Sequence, residues 1–176
     1  MKNTLIIGLI CAAVLAAGIL LYVHSGEPVP PSPSTTGASA NTVQPKTTNV
    51  AFKILDHGDT AKEITARKNY AIYDAAQFAT FWKQAHGSGT PPIVDFSKNY
   101  VIGVFAGTEP SNGYSIEVSK VTDTQGSRAV AVLITAPDAG CTPIEEPTSP
   151  YQFVTVSYSD SEALSHTDIV VKKNCK

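Results

Sequence analysis

The hydrophobic pattern of the chain begins with an uninterrupted apolar run near the N-terminus. Leu5 to Val23 reads LIIGLICAAVLAAGILLYV and contains no charged residue. A helix of this length spans roughly 28 Å, close to the ~30 Å hydrocarbon core of a bilayer. The pattern predicts a transmembrane helix within residues 1–23, with residues 5–23 in contact with the lipid bilayer.

The charges that flank this run predict its orientation. Lys2 precedes it, and no Lys or Arg follows until Lys46. The positive-inside tendency therefore predicts a single-pass cell-membrane protein with a cytoplasmic N-terminus and an extracytoplasmic C-terminal domain. Two alternatives stay open: a cleaved signal peptide, whose apolar core is normally shorter, and a lipoprotein attached through Cys11. All three export the rest of the chain.

Residues 24–49 have no apolar periodicity. Five prolines stand there among Ser, Thr, Gly and Ala residues. Such a segment cannot bury enough apolar surface to offset the entropy lost on ordering. We predict a disordered linker that holds a folded domain, residues 50–176, away from the membrane.

Alternating and continuous apolar runs return after residue 50 and predict strands. The expected strands are residues 50–55, 63–73, 100–106, 114–119, 129–135, 152–158 and 168–172. The run at 100–106 is apolar at nearly every position, as in a strand covered on both faces, and the run at 129–135 is again apolar on both faces. A turn at 124–127 separates 114–119 from 129–135, so these two should form a hairpin.

One segment has helical periodicity instead. Asp74 suits an N-cap, Gln77 follows at the spacing of a capping box, and Gly87 suits a helix stop. The apolar stripe between them consists of Phe78, Phe81, Trp82 and Ala85. We interpret these aromatic side chains as core. Together, the predicted strands and helix indicate an α+β domain: a mainly antiparallel sheet of about seven strands joined by turns, with one amphipathic helix packed on it.

The charge of the chain excludes one class of function. Thirteen Lys and Arg against fifteen Asp and Glu give a net charge of −2. Binding to nucleic acid needs a dense basic surface that displaces the phosphate counterions. We therefore predict no nucleic-acid partner.

Two cysteines fall in the predicted folded domain, Cys141 and Cys175. Outside the cytoplasm such a pair most simply forms a disulfide, which would fasten the 137–150 loop to the end of the last strand. The alternative makes Cys141 a nucleophile with His57 or His166 as its base. No spacing in the sequence favours that arrangement, so the disulfide is the prediction.

Other residues that could carry chemistry are scattered. The four histidines include no pair at metal-binding spacing. Glu145-Glu146 could hold Ca²⁺ weakly, but solvated loop charges are the simpler interpretation. The sequence contains neither a GxSxG elbow nor a glycine-rich phosphate loop. We predict no catalytic residues, no metal and no cofactor, and hence a protein that is not an enzyme.

Three stretches together resemble a known family. They are 94–107 (VDFSKNYVIGVFAG), 112–118 (NGYSIEV) and 148–156 (TSPYQFVTV). In this order they resemble the C-terminal domain family of the protease complex subunit PrcB, over about residues 90–173. The resemblance implies an extracytoplasmic accessory subunit of a bacterial secreted protease complex. No catalytic residues come with it.

The expected function is that of a membrane-anchored domain that binds an extracytoplasmic protein, with a secreted protease as the partner class. Asn112, Gly113 and Tyr114 are the candidate binding residues, because a stiff turn beside an aromatic ring suits a protein cleft. A similar loop occurs in chagasin-like cysteine-protease inhibitors, so an inhibitor acting through residues 108–114 is the alternative hypothesis. A second alternative is an enzyme of unknown activity whose site is assembled from scattered residues.

Overall fold

The computed structural model describes residues 45–159 and 163–174, which form eight strands and one helix. In chain order these are β1 (Thr48–Asn49), β2 (Phe52–Gly58), β3 (Lys68–Ile72), α1 (Ala75–His86), β4 (Asn99–Phe105), β5 (Ser115–Thr124), β6 (Ser127–Pro137), β7 (Tyr151–Ser157) and β8 (Ala163–Lys173). Among the described residues no helix is long and apolar enough to cross a membrane. The membrane span predicted at residues 5–23, and the linker up to residue 44, lie outside this part of the chain.

The strands form two four-stranded sheets, so the prediction of a single sheet of about seven strands is wrong. The first sheet has the order β1-β5-β6-β8 and the second β2-β7-β4-β3. Five of the six strand pairs are antiparallel, which confirms the mainly antiparallel α+β class. The pair β6–β8 is parallel, so the expectation that turns alone join the strands is wrong. Between β6 and β8 the chain crosses to the second sheet and forms β7, which lets two strands of one sheet run in the same direction.

The first hydrophobic core lies between the two sheets. Alternate side chains of four strands fill it: Tyr100, Ile102, Val104, Ile116, Val118, Val121, Val130, Val132, Val154 and Val156. The run at 129–135, which is apolar on both faces in the sequence, has fully buried residues on one face only. Val130 and Val132 are buried, but Ala129 is exposed and Leu133 half-buried, because no described element packs on the outer face of the first sheet.

The second core lies between the second sheet and α1. Phe78 of the helix is 1% exposed, and its ring centroid lies 5.5 Å from that of Phe153 in β7. From β4, Val101 and Phe105 point into this core, opposite the side chains that fill the first. The continuous apolar run at 100–106 is therefore buried on both faces, as predicted. Of the stripe interpreted as core, Phe78 and Ala85 are buried, and Phe81 and Trp82 are half-buried against the same core.

The helix has the ends that its sequence predicts. The backbone N–H of Gln77 donates to Oδ1 of Asp74 at 2.8 Å, and its side-chain amide donates to Oδ2 at 2.6 Å. Gly87 takes a left-handed φ of 78°, and its N–H donates to the carbonyl of Lys83. Both are local devices that satisfy groups left unpaired at helix ends.

The predicted strand at 63–73 begins only at Lys68, in β3. The N–H groups of Lys62 and Glu63 instead donate to the carbonyls of Ala85 and Gln84, at 3.0 and 2.9 Å. The last carbonyls of a helix need such donors. The segment before β3 is therefore irregular because it covers the C-terminal end of α1.

Candidate functional site

Two loops meet beside the end of β6 and form the candidate site. The loop from β4 to β5 and the loop from β6 to β7 are joined by an isolated bridge between Glu109 and Thr148. The Glu109 N–H donates to the Thr148 carbonyl at 2.8 Å, and the Thr148 N–H returns a bond of 3.0 Å. The Thr148 hydroxyl also donates to the Ser111 carbonyl at 3.0 Å. We call residues 108–114 and 138–150 together the loop platform.

Asn112 connects the two loops a second time. Its backbone N–H donates to the carbonyl of Ile144 at 3.2 Å, and its side-chain oxygen accepts from the Ile144 N–H at 3.0 Å. Both backbone groups of Ile144 are thus satisfied, while its side chain is 66% exposed. Asn112 therefore fixes the backbone beneath an apolar side chain that faces solvent.

The other two predicted binding residues have different environments. Gly113 has a φ of 94°, a conformation that residues with a Cβ rarely adopt. An added Cβ would lie 3.7 Å from that of Pro137, so the backbone angle rather than space requires glycine. Tyr114 is half-buried where the chain enters β5. Within the platform, Asn112 and Gly113 are therefore exposed and Tyr114 is half-buried, and a binding role for all three stays a prediction.

An open groove runs between the two loops. It has a volume of about 610 Å³ and is lined by Pro110, Ser111, Cys141, Thr142, Pro143 and Glu145. Small-molecule sites usually enclose most of their ligand in a well-formed cavity. A partly open groove with two proline rings in its lining is better suited to a segment of another protein.

The start of the longer loop is fastened to the end of β8. The Asp138 N–H donates to the Lys173 carbonyl at 3.2 Å, and the Cys141 Sγ lies 3.4 Å from the same oxygen. Cys175 lies outside the described residues, so its pairing with Cys141 stays a prediction. His166 precedes Lys173 by seven residues in β8, about 23 Å along a strand, which separates it from Cys141.

The structure also contains a polar cluster of Asp56, His86 and Tyr151, which the sequence does not indicate. The Tyr151 hydroxyl donates to Asp56 Oδ2 at 2.9 Å and lies 2.9 Å from His86 Nε2, which is 3.0 Å from the same carboxylate oxygen. Burial and the hydrogen bond to Asp56 raise the pKa of Tyr151. The three residues are 30 to 95 positions apart in sequence, so no motif spacing indicates them.

This polar cluster joins three elements. His86 ends α1, Asp56 lies in β2 and Tyr151 opens β7. The other ring nitrogen of His86 lies 3.0 Å from the Trp82 carbonyl, and the His86 and Trp82 rings stack at 3.9 Å. Because these polar atoms are engaged with one another or with backbone, the cluster is suited to holding the helix on the sheet.

The acidic residues of the platform do not converge on a common point. Glu109 is half-buried at its base, and burial raises the pKa of its carboxyl. Glu145 and Glu146 are exposed. Within the described residues no group of three or more His, Cys, Asp or Glu is placed to hold a metal ion.

The fold and the site define a small α+β domain of two stacked sheets, with a two-loop surface where β4 and β6 end and β5 and β7 begin. The family described as PrcB C-terminal matches residues 100–157, which confirms the resemblance found in the sequence. The match runs from β4 to β7 and contains the whole loop platform. The matched range is shorter than the range of the resemblance seen in the sequence, which also covered residues 90–99 and 158–173. No curated protein and no solved structure matches the chain.

Proposed function

We propose that this chain is a membrane-anchored extracytoplasmic domain that binds another protein through the loop platform, with a secreted protease as the partner class. One observation carries the proposal: the exposed Ile144 side chain stands on a backbone held at both polar groups by Asn112. Burial of an exposed apolar side chain favours association, and a surface that is already ordered loses less entropy when it binds.

The proposed location rests on the sequence. The apolar run at 5–23 and the proline-rich segment after it suit a cell-membrane anchor and a tether, with the N-terminus in the cytoplasm. The proposed disulfide agrees with export, because disulfides persist mainly outside the cytoplasm. The position of Cys141 beside the end of β8 supports its pairing with Cys175, two residues beyond Lys173.

The proposed partner class rests on the family. The matched family is described by the C-terminal part of PrcB, and the platform lies inside the match. This link concerns the kind of partner and carries no catalytic residue. The expectation that the chain is not an enzyme therefore stays a prediction.

Site-specific photo-crosslinking of the full-length chain in cells tests the proposal. A photoreactive residue at position 144 should form one dominant adduct with an extracytoplasmic protein, which mass spectrometry identifies. The matched control places the same residue at Ile93, which is fully exposed but outside the platform. Equal adducts from both positions, or an adduct with a cytoplasmic protein, would contradict the proposal.

A second candidate function is protease inhibition through residues 108–114. The hydrogen bonds of Asn112 to a neighbouring loop favour it, since inhibitory loops work best when held in their bound shape. The full-length chain in detergent should then slow one of a panel of cysteine and serine proteases. Asn112→Ala should weaken that inhibition, and Ile93→Ala should not. Unchanged protease rates across the panel would rule against the inhibitor and leave the accessory subunit.

A further inference from the structure

Strand β8 forms an edge of the first sheet. It is 11 residues long, and every one of its residues is exposed. It pairs with β6 in one continuous register from Ala163 to Lys173, without a bulge. Protein edges are usually blunted by shortness, charged side chains, proline or bulges. Of these, β8 has only the charged side chains of Asp168, Lys172 and Lys173, so its outer edge still offers a long row of backbone donors and acceptors.

Three consecutive residues of β8, Ile169, Val170 and Val171, place apolar side chains on both faces of the strand. Ile169 is 44% exposed, Val170 66% and Val171 38%. A charged residue of opposite sign stands on each side of this trio, Asp168 before it and Lys172 after it. An exposed apolar trio between opposite charges is suited to pairing with an inverted copy of itself.

We propose that two copies of this chain pair along β8, antiparallel, about a two-fold axis at Val170. In this register Val170 faces Val170, and Ile169 of each copy faces Val171 of the other. Asp168 of each copy faces Lys172 of the other. Directly opposite residues of an antiparallel pair lie on the same face and contact each other. This register therefore places apolar residues opposite one another and forms two Asp168–Lys172 pairs between the copies.

Neighbouring registers lack this complementarity. An axis at Asp168 places two carboxylates opposite each other, and an axis at Ile169 places Asp168 opposite Val170. An axis at Val171 places Val170 opposite Lys172. Like charges directly opposite each other destabilise a sheet. The sequence of β8 thus selects the axis at Val170.

The two charged residues are available for this contact. Asp168 uses Oδ1 to accept from Arg67 at 2.6 Å, and its side chain keeps 33% of its surface exposed. Lys172 forms no ion pair within the described part of the chain. A strand from a different protein could also add to this edge. The self-complementary sequence favours a second copy.

The pairing would give the assembly two loop platforms. Pro137, where the longer platform loop begins, pairs with Lys173. Lys173 lies three residues from the proposed axis, so the two platforms would lie on opposite sides of it. The pairing does not depend on what the platform binds.

Cysteine crosslinking of the full-length chain in cells tests the register. Val170→Cys places two thiols opposite each other, so a short bifunctional maleimide should produce a dimer on a reducing gel. Thr167→Cys is the matched control on the same strand, since in this register the two thiols lie about 20 Å apart. The unsubstituted chain gives the background from native cysteines. Equal dimer yields from both variants, or adducts of Val170→Cys with other proteins only, would overturn the proposal.

A charge exchange tests the same register without crosslinks. Lys172→Asp should weaken the dimer about tenfold, because it replaces two opposite-charge pairs with two like-charge pairs. Asp168→Lys combined with Lys172→Asp should recover most of this loss, although it removes the bond to Arg67. Mass photometry of the full-length chain in detergent reads the dimer fraction. A monomeric unsubstituted chain, or a double variant no better than Lys172→Asp, would overturn the proposal.

Discussion

At the scale of single residues, two part-buried polar contacts support this fold, Arg128–Asp123 and Tyr151–Asp56, and each predicts how stability responds to pH. Arg128 is 3% exposed and holds Asp123 through two hydrogen bonds of 2.7 and 2.8 Å. A further guanidinium nitrogen donates to the carbonyl of Ser157 in the second sheet. Arg128 therefore ties the two sheets together, and Asp123 neutralises it.

Asp123→Asn should destabilise the domain by about 2 kcal/mol at neutral pH, because it leaves a buried guanidinium without its counter-charge. The hydrogen bonds from Arg128 lower the pKa of Asp123 below its unfolded value. Its stabilising contribution is thus present above the unfolded pKa, near pH 4, and is lost as the pH falls through the folded value. Urea unfolding at pH 7 and pH 3 should show a smaller acid loss for Asp123→Asn. Glu117→Gln is the control with an exposed carboxylate and should behave like the unsubstituted chain.

Tyr151 predicts that the domain loses stability at high pH rather than at low pH. Its pKa is raised above the unfolded value of about 10 by burial and by Asp56. The folded state then holds a proton that the unfolded state releases, so stability is full below pH 10 and falls as the pH rises further. Thermal unfolding between pH 8 and 11 should show this loss in the unsubstituted chain and less of it in Tyr151→Phe.

Tyr151→Phe should also cost about 1–2 kcal/mol at pH 7, because Asp56 loses a donor. Tyr158→Phe, at a 43% exposed residue outside the polar cluster, is the control. An equal alkaline loss in Tyr151→Phe and the unsubstituted chain would assign that loss to other groups.

At the scale of elements, the sequence predicts correctly those elements that are determined by residues close together in the chain. The helix Ala75–His86 follows from Asp74, an apolar stripe and Gly87, all within fifteen residues. The β5–β6 hairpin follows from a tight turn in the same way. The start of β3 was wrong because Lys62 and Glu63 bond to the far end of α1, a partner that periodicity in one segment does not reveal.

Asp74→Ala should therefore destabilise the domain by about 1 kcal/mol, the usual cost of losing an N-cap. Both carboxylate oxygens of Asp74 accept from Gln77, so the substitution removes two hydrogen bonds at once. Urea unfolding followed by far-UV circular dichroism measures the change. Gln77→Ala is the matched variant and should lose only the side-chain bond, with a smaller effect. A larger loss for Gln77→Ala would contradict this account of the cap.

The candidate site, too, could be predicted only where its residues are close together in the sequence. The Asn112-Gly113 turn was visible in the sequence because both residue types suit such a backbone. The side chain that it supports was not, since Ile144 is 32 residues away and reads as an ordinary loop residue. The polar cluster around His86 stayed hidden for the same reason.

At the scale of the whole molecule, the two loops and the last strand converge near Cys141. Lys173 accepts from Asp138 and lies beside Cys141, so the end of β8 and the start of the platform are one structural unit. A covalent bond from Cys141 to Cys175 would secure this unit. It would close a loop of about 35 residues and contribute roughly 3–4 kcal/mol in the chain-entropy model.

Exported full-length protein should therefore contain a Cys141–Cys175 disulfide, and non-reducing peptide mass spectrometry should recover the two cysteines in one linked peptide pair. Reduction should lower the unfolding temperature, and Cys141→Ser should lower it to the same value with no further change on reduction. Cys11→Ser is the control and should leave both the linked pair and the unfolding temperature unchanged. Two alkylated thiols at 141 and 175 in protein taken from outside the cytoplasm would contradict the disulfide. The platform would then depend on its hydrogen bonds alone, and Asn112→Ala should disorder it more severely.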